Sequence, residues 1–304
     1  MDAATNPALR KSARTAFSDN ALNALLYVWA AAVLLVTLYP LYFIVIASVS
    51  DPSAVGNGQV WLYPRGFTLE GYRELLNHSN IWIGYRNTIL YTAVGTAIGL
   101  AVNLSAAYAL SRKDLFGRNT ITLFFIFTMF FNGGLIPTFL TIRDFGLYDT
   151  FLVMVLPFAV GVFDIIVART FFQNSIPPDL WEAAQIDGCG NLRYFALVVL
   201  PLSKAIISVL ALWIAVGHWN SYFNALIYLK NNDLYPLQLI LRNILITNQM
   251  QSSMGTGEAA QIALRLANLM RYSVIIVSTL PIMCIYPFVQ KHFNQGVMIG
   301  AVKN

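Results

Sequence analysis

The chain has 304 residues, of which 57% are hydrophobic and 11% are charged, and its formal net charge is +5. A soluble domain carries about 25% charged residues, so this composition excludes an ordinary water-exposed globule. The positive charges form no cluster of the kind that binds nucleic acid, so we expect no nucleic-acid partner.

The apolar residues collect in six blocks that predict membrane-spanning helices. A block of about 20 residues crosses the hydrocarbon of a bilayer as a helix. Helices are expected because a segment in lipid must satisfy its own backbone hydrogen bonds, and the blocks do not alternate as barrel strands do. The blocks are 20–50, 87–111, 119–142, 150–168, the stretch between Lys204 and Lys230, and the stretch between Arg271 and Lys291.

Basic residues predict the orientation of these spans. The N-terminal tail and the connection between the second and third blocks carry three each, whereas the next short connection carries one. Short cytoplasmic segments carry the excess of Lys and Arg, so both termini are expected in the cytoplasm. The first block is too long for a signal peptide, which predicts an uncleaved span. The basic residues are Arg10, Lys11 and Arg14, then Arg112, Lys113 and Arg118, then Arg143.

Two stretches outside the membrane, 68–78 and 236–245, have helical apolar spacing. The second is expected to lie along the membrane surface.

The long cytoplasmic connection 170–204 predicts a helix, a turn and a second helix. Ser175 is the predicted N-cap, and Pro177 and Pro178 suit a first helical turn. The carboxylates of Asp179 and Glu182 favour the positive end of the helix dipole.

The end of that helix is also predicted. Gly188 is expected to stop it, because glycine adopts the left-handed conformation at low cost. Ala183 and Ala184 have small side chains, so a partner's backbone can approach that face of the helix closely. The pair Leu200 and Pro201 is expected to bend the chain into the fifth span.

This connection resembles the EAA loop of binding-protein-dependent ABC importer permeases. Glu182-Ala183-Ala184 is followed by three residues and Gly188, and after nine more by Val198-x-Leu200-Pro201. In that family the loop forms a coupling helix that sits in a cleft of the ATPase subunit; the alternative is an ordinary amphipathic linker helix. The resemblance implies ATPase coupling by Asp179, Glu182, Ala183, Ala184, Asp187, Gly188, Leu200 and Pro201.

The pentapeptide "EAAQI" occurs a second time, at 258–262. This copy has Leu264 in place of the glycine and Val277 in place of the proline, and the predicted topology puts it outside. We interpret it as a chance match.

Other stretches are similar to the carbohydrate-uptake branch of the same family, which includes the maltose-transporter permease. They are "AAYALSR", "NGGLIPTFL" and "HWNSYFNALIYL", while the ending "FVQKHFNQGVMIGAVKN" resembles the subgroup for complex oligosaccharides. The resemblance implies an all-α integral membrane protein with six transmembrane helices and a cytoplasmic coupling helix, the type I ABC importer fold. It also implies that residues 296–304 run along the ATPase interface.

The chain is accordingly divided into a cytoplasmic tail (1–22), a permease domain (23–290) with the coupling loop at 175–201, and a cytoplasmic C-terminal tail (291–304). The expected location is the bacterial cytoplasmic (inner) membrane. The resemblance implies four kinds of partner besides lipid: a second homologous permease, two ATP-binding subunits and an extracytoplasmic sugar-binding protein. No cofactor is expected on this chain, because the partner subunits bind ATP.

Polar residues inside the spans are the candidates for the substrate pathway, because such residues are costly in lipid. Asn220 and Asn224 are spaced to share one helical face. Asp164 has an alternative role as an ion-pair partner of Arg169 or Lys204, and Trp219 has one as an interfacial belt residue. The candidates are Asn132, Asp164, Trp219, Asn220, Tyr222 and Asn224.

The sequence has no metal-protease, thiol-redox or nucleotide-binding motif, so we expect a non-catalytic subunit that imports a sugar, an oligosaccharide by resemblance. The main alternative is a self-contained secondary transporter or channel. Such a protein is expected to show an internal repeat or a coupling-ion site, and neither is evident. A membrane enzyme ranks third, because no metal or nucleophile constellation is present.

Overall fold

The computed structural model describes residues 7–254, 265 and 268–284, and within them all regular structure is helical. This confirms the all-α fold class. The second "EAAQI" copy and the C-terminal tail 291–304 lie outside the described residues. The domain boundaries stay a prediction.

Fourteen helices are described, joined by two short 3₁₀ turns and one π turn. They are α1 (Pro7–Ser48), α2 (Pro52–Gly56), α3 (Glu70–Asn77), α4 (Ser79–Ser111), α5 (Arg118–Phe130), α6 (Leu135–Asp144), α7 (Val162–Ser175), α8 (Asp179–Ile186), α9 (Asn191–Tyr194), α10 (Leu200–Leu202), α11 (Lys204–Trp219), α12 (Phe223–Tyr228), α13 (Leu237–Met254) and α14 (Asn268–Cys284). The 3₁₀ turns are Phe151–Met154 and Asn232–Leu234, and the π turn is Phe195–Val199.

Helix α4 is the central element, and α7, α11 and α13 pack around it. Small residues on α4 allow the close approach of α11. A Cβ atom added to Gly95 would lie 2.3 Å from His218 Nε2, and one added to Gly99 would lie 3.2 Å from Ile214 Cγ2. Glycine at these two positions lets the helices come together without a side chain between them.

Three buried clusters follow α4 along its length. The cluster near the end at Ser111 includes Leu104 and Leu110 of α4 with residues of α7 and α11. A middle cluster surrounds Tyr91, and a third joins Ile81 to α13 and α14. Helix α4 therefore connects the segment that carries α8 to the opposite end of the molecule.

Helix α13 contains the stretch that was expected on the membrane surface, and that prediction is wrong. Leu237, Leu239 and Leu241 are buried. Thr88 Oγ1 of α4 accepts a hydrogen bond from the backbone N–H of Leu237 at 2.8 Å. The apolar face of α13 thus packs on α4 and α14 instead of on lipid.

Two of the predicted spans are continuous helices. Leu22–Ser48 and Ser79–Ser111 are long and apolar enough to cross a membrane. The third predicted span is a pair of helices, α5 and α6, bent by 112°. The predicted block 119–142 is therefore not one continuous helix, because Gly133 and Gly134 interrupt it and Gly134 adopts a φ of +83°.

The fourth predicted span, 150–168, is not one helix either. After the 3₁₀ turn Phe151–Met154 the chain leaves helical geometry, and α7 begins only at Val162. Pro157 interrupts the segment because it donates no backbone hydrogen bond. The backbone N–H of Gly161 donates to Asn103 Oδ1 of α4 at 3.0 Å instead of to a helical carbonyl.

The approach to the fifth span also differs from the prediction. Leu200, which precedes Pro201, is helical, with φ −61° and ψ −46°. The π turn just before it widens the backbone where the proline ring would otherwise meet a carbonyl. The bend comes at Ser203, where Asn191–Leu202 and Lys204–Trp219 meet at 85°.

The described part of the sixth span, α14, is 17 residues long and ends at Cys284. Among the described residues, two helices are long and apolar enough to cross a membrane. The number rises to four if each bent pair counts as one span. The total of six spans therefore stays a prediction.

Candidate coupling helix and substrate path

The predicted coupling helix is α8, which runs from Asp179 to Ile186. Pro178 precedes its first residue, and Asp179 and Glu182 lie in its first turn as predicted. Ser175 is not the N-cap, because it is the last residue of α7. Ile176 is extended, with φ −106° and ψ 111°, since it precedes Pro177, and the new helix can begin only after the two prolines.

The predicted stop at Gly188 is confirmed. Gly188 has a φ of +70°, and its backbone N–H donates to the carbonyl of Gln185 at 3.0 Å. The N–H of Cys189 donates to the carbonyl of Ala184 at 2.8 Å. These two bonds form a Schellman motif, which satisfies the last carbonyls of α8 and fixes the direction of the chain.

The two faces of α8 differ in what they contact. Trp181 and Ala184 pack against the buried cluster at the end of α4. The opposite side is exposed and presents Glu182, Ala183 and Ile186, the last with 88% of its surface accessible. Ala183 and Ala184 were expected on one thin face, but successive helical residues are about 100° apart, so only Ala183 faces outward.

Trp181 anchors α8 to the body of the protein. Its ring makes an edge contact with Tyr194 of α9, with ring centroids 4.9 Å apart. On the other side, the guanidinium carbon of Arg112 lies 3.8 Å from the centroid of the indole ring, a cation–π contact. Since Arg112 follows the last residue of α4, this contact joins α8 to the α4–α5 connection.

Arg112 is held in position by Asp114. Its Nε and Nη2 atoms donate to the two carboxylate oxygens of Asp114, at 3.0 and 2.9 Å. These hydrogen bonds hold the pKa of Asp114 below its ordinary value, so the carboxylate stays charged near neutral pH. A bidentate pair restricts the orientation of the guanidinium, which is held 3.8 Å from the centroid of the indole ring.

A cavity of about 660 Å³ opens beside this anchor. Its walls include Arg112, Trp181, Glu182 and Gln185, so it lies between α8 and the α4–α5 connection.

The remaining residues of the predicted coupling set are placed as follows. Asp179 and Asp187 are exposed at the two ends of α8. Leu200 packs against the buried cluster at the end of α4, and Pro201 is exposed. Leu200 therefore supports the coupling loop from the inside.

The structure places three of the pathway candidates at one break. Helix α11 ends at Trp219 and α12 begins at Phe223, so Asn220, Tyr222 and Asn224 surround the interruption. Asn220 and Asn224 do not share the face of one helix as predicted. The side-chain amide of Asn220 donates instead to the carbonyl of Val216 at 2.9 Å, which closes the end of α11.

Trp219 has a packing role in this structure. Its side chain is buried, and its indole N–H donates to the carbonyl of Ser278 in α14 at 2.9 Å. The ring therefore joins α11 to α14. This geometry favours packing over both substrate contact and the interfacial belt.

Asn132 and Asp164 belong to other segments of the chain. Asn132 is exposed between α5 and α6, where its Oδ1 accepts from the backbone N–H of Gly134 at 3.0 Å. Asp164 is half-buried in the first turn of α7. It forms no ion pair with Arg169 or Lys204, and Arg169 donates from Nε to the carbonyl of Leu110 at 3.0 Å. The ion-pair alternative for Asp164 is therefore wrong.

The anchoring residues Arg112, Trp181 and Tyr194 were missed by the sequence reasoning. One signal was available: Trp181 immediately precedes the EAA residues, and a Trp in a short helix of acids and alanines indicates a fixed contact. The position of Arg112 beside it depends on the packing of α4, α7 and α9.

Comparison with known proteins decides the family. The model of the binding-protein-dependent transport system inner membrane component family matches residues 104–299. The chain belongs to this family. It is an inner-membrane transport component, and this membership favours the permease over the secondary transporter, the channel and the membrane enzyme.

Individual relatives agree with the family. The chain is 37% identical to the polygalacturonan/rhamnogalacturonan transport system permease protein YtcP of Bacillus subtilis, over 92% of this chain and 98% of the relative. It is 36% identical to Protein LplC of Bacillus subtilis, over 88% of this chain and 90% of that protein.

A solved structure shares the fold. It is the crystal structure of a bacterial ABC transporter involved in the import of the acidic polysaccharide alginate. The TM-score is 0.81 at 33% sequence identity, with 91% of this chain and 98% of the other covered. The type I importer fold expected from the sequence is thereby confirmed.

Proposed function

We propose that this family member is the non-catalytic permease subunit of an ATP-driven importer that moves an oligosaccharide into the cytoplasm. It assembles with a second, homologous permease, two ATP-binding subunits and an extracytoplasmic sugar-binding protein. The observation that carries the proposal is α8: its inner face is fixed by Trp181, and its outer face is exposed. An anchored helix with a free outer face suits a cleft on another subunit.

The energy comes from the partners. The sequence lacks the glycine-rich loop with Lys and Ser or Thr that cradles the phosphates of ATP, so ATP is bound and hydrolysed by separate subunits. Their contribution to this chain is mechanical: they move α8.

The packing supports a rigid connection between α8 and the spans. Helix α8 follows α7 directly, and α9 and α10 lead from it into α11. Both α7 and α11 pack on α4, and Arg112 joins α8 to the end of α4. Because closely packed helices move as units, a shift of α8 is transmitted to α4, α7 and α11 together.

The orientation follows from the charges. With both termini in the cytoplasm, the basic α4–α5 connection and α8 lie on the same side as the ATP-binding subunits. The side-chain contact between Arg112 and Trp181 supports this arrangement, because it requires the two segments to be neighbours.

We propose an acidic oligosaccharide as the substrate class. The polygalacturonan/rhamnogalacturonan permease and the alginate importer both act, by their names, on polymers of acidic sugars. Arg242 of α13 supports this choice, because its guanidinium carbon lies 5.9 Å from the ring centroid of Tyr222 at the α11–α12 break. The three ion pairs among the described residues involve other arginines, so Arg242 is available to a carboxylate.

The test is substrate-stimulated ATP hydrolysis by the complete complex in lipid nanodiscs. Galacturonate oligomers, presented with the binding protein, are expected to stimulate hydrolysis more than neutral oligomers of equal length. Arg242→Gln is expected to lower the stimulation by acidic oligomers and to leave basal hydrolysis unchanged. Arg143→Gln is the control, because Arg143 already pairs with Asp144 at 3.2 Å. Equal stimulation by neutral oligomers would contradict the acidic assignment, and no ATPase in the purified complex would contradict the importer itself.

A further inference from the structure

The segment after α2 presents large apolar side chains to the surroundings. Trp61 is 69% exposed, Tyr63 is 77% exposed and Phe67 is 71% exposed, and Leu62 is exposed beside them. We call residues 58–67 the aromatic loop.

The backbone of the aromatic loop is fixed, although its large side chains are exposed. Within the loop, the indole N–H of Trp61 donates to the carbonyl of Gly58 at 2.6 Å. The hydroxyl of Tyr39 donates to the carbonyl of Trp61 at 3.3 Å, and the hydroxyl of Tyr42 donates to the carbonyl of Leu62. The end of the loop returns to the end of α1, where the backbone N–H of Asp51 donates to the carbonyl of Arg65 at 2.9 Å. The backbone that carries the rings is therefore held against α1.

The two tyrosines show how far the loop extends along α1. At a rise of about 1.5 Å per residue, the Cα atoms of Tyr42 and Tyr39 lie about 9 and 14 Å before the last residue of the helix, Ser48. Leu22–Ser48 is a membrane span by length and composition, and residues 22–42 are exposed along it. The loop thus lies beside the last turns of a span and does not extend away from the bilayer.

We propose that the aromatic loop is a membrane anchor whose rings enter the lipid interface at the non-cytoplasmic end of α1. Trp and Tyr rings favour this layer, because an apolar ring carries one polar group. Apolar faces of interfacial segments are buried about 5–10 Å into the boundary between headgroups and acyl chains, which matches the position of the loop beside Tyr42. Arg65 is exposed in the same loop.

Lipid fits this surface better than a protein partner does. The exposed rings continue the exposed surface of α1, so the layer that surrounds the span also reaches the loop. The inference requires that α1 spans the membrane and, for the side, that its N-terminus is cytoplasmic as proposed; it does not depend on the substrate or on the ATP-binding subunits. The test also has outcomes for two other occupants of this surface: the second permease or the sugar-binding protein could cover the aromatic loop instead of lipid.

The experiment measures collisions of a nitroxide label with oxygen, which concentrates in lipid, and with nickel–EDDA, which stays in water. The complete complex carries Cys189→Ser and Cys284→Ser and is reconstituted in nanodiscs of phosphatidylcholine and phosphatidylglycerol. One label replaces Tyr63, and a matched label replaces Asn57, an exposed polar residue just before the aromatic loop.

We expect the label at 63 to collide more with oxygen than with nickel–EDDA, and the label at 57 to show the reverse. A label at 63 that prefers nickel–EDDA would overturn the proposal, since the loop would then face water or the binding protein. A label sheltered from both reagents would also overturn it, because the second permease would then cover the loop. If Tyr63→Cys does not assemble, Phe67→Cys provides the same comparison.

Discussion

At the scale of single residues, Gly188 determines how α8 ends. An alanine there would have to adopt a φ of +70°, although no neighbouring atom would touch its Cβ atom. The left-handed conformation costs a non-glycine residue about 1–2 kcal/mol, so Gly188→Ala is expected to redirect the turn and to lower uptake and substrate-stimulated ATP hydrolysis. Gly190 provides the control, because it has equal free space and a φ of −77°. Equal losses in Gly188→Ala and Gly190→Ala would exclude backbone conformation as the cause.

The contact between Arg112 and Trp181 makes a second prediction. A cation–π pair contributes about 0.5–2 kcal/mol, so Arg112→Ala and Trp181→Ala are each expected to lower substrate-stimulated ATP hydrolysis. The double variant is expected to be no worse than the worse single variant, because both changes remove one contact. Lys113→Ala, an exposed neighbour, is expected to behave as wild type. If the loss of ATP hydrolysis in the double variant equals the product of the two single losses, the two residues act separately.

The sequence predicts residues whose role is set by local backbone conformation. Gly188 was found because a helix needs a left-handed residue at its end, and the acids of the first turn because they complement the dipole. Ser175 was assigned wrongly because two prolines delay the next helix. The contact of Arg112 with Trp181 and the burial of Trp219 depend on packing between distant segments, which no local pattern encodes.

At the scale of elements, the two residues at the break between α11 and α12 are expected to differ in role: Trp219 packs against α14, and Asn220 is a candidate for the substrate pathway. Trp219→Ala removes a buried ring and its hydrogen bond to α14, and such changes cost about 3–5 kcal/mol, so the melting temperature of the complex is expected to fall. Asn220→Ala removes an exposed amide and its bond to the carbonyl of Val216, and it is expected to lower uptake while the melting temperature falls much less than in Trp219→Ala. Unchanged uptake in Asn220→Ala would remove it from the pathway.

Hydropathy located two spans that are continuous helices, α1 and α4. Both helices begin before the predicted blocks, at Pro7 and Ser79, because the helical backbone continues through polar residues that a hydropathy window excludes. Glycine interrupts the α5–α6 pair. Pro157 interrupts the segment before α7, where Gly161 bonds to Asn103. The N–H of Gly161 bonds to Asn103 of another helix, and the N–H of Gly134 bonds to the side chain of Asn132. A composition window registers neither partner.

At the scale of the whole molecule, the topology can be measured from both sides. A thiol label at Asn191, just after α8, is expected to react only from the cytoplasmic side. A label at Asn57, in the first connection, is expected to react only from outside, and so is one at Gly255, which lies outside the described residues. The measurement uses a membrane-impermeant maleimide on intact cells and on inverted vesicles. The opposite accessibilities would contradict the orientation inferred from Arg112, Lys113 and Arg118.

The most direct test of coupling uses the two copies of "EAAQI". Glu182→Lys reverses a charge on the exposed face of α8 and in its first turn, where a positive charge opposes the dipole. Glu258→Lys makes the same change in the second copy, outside the described residues. Neither change touches an apolar span, so both variants are expected to insert. Glu182→Lys is expected to lose the ATP-binding subunits or substrate-stimulated hydrolysis together with uptake, whereas Glu258→Lys keeps them. If the two variants retain ATPase and uptake to the same extent, α8 is not the coupling helix.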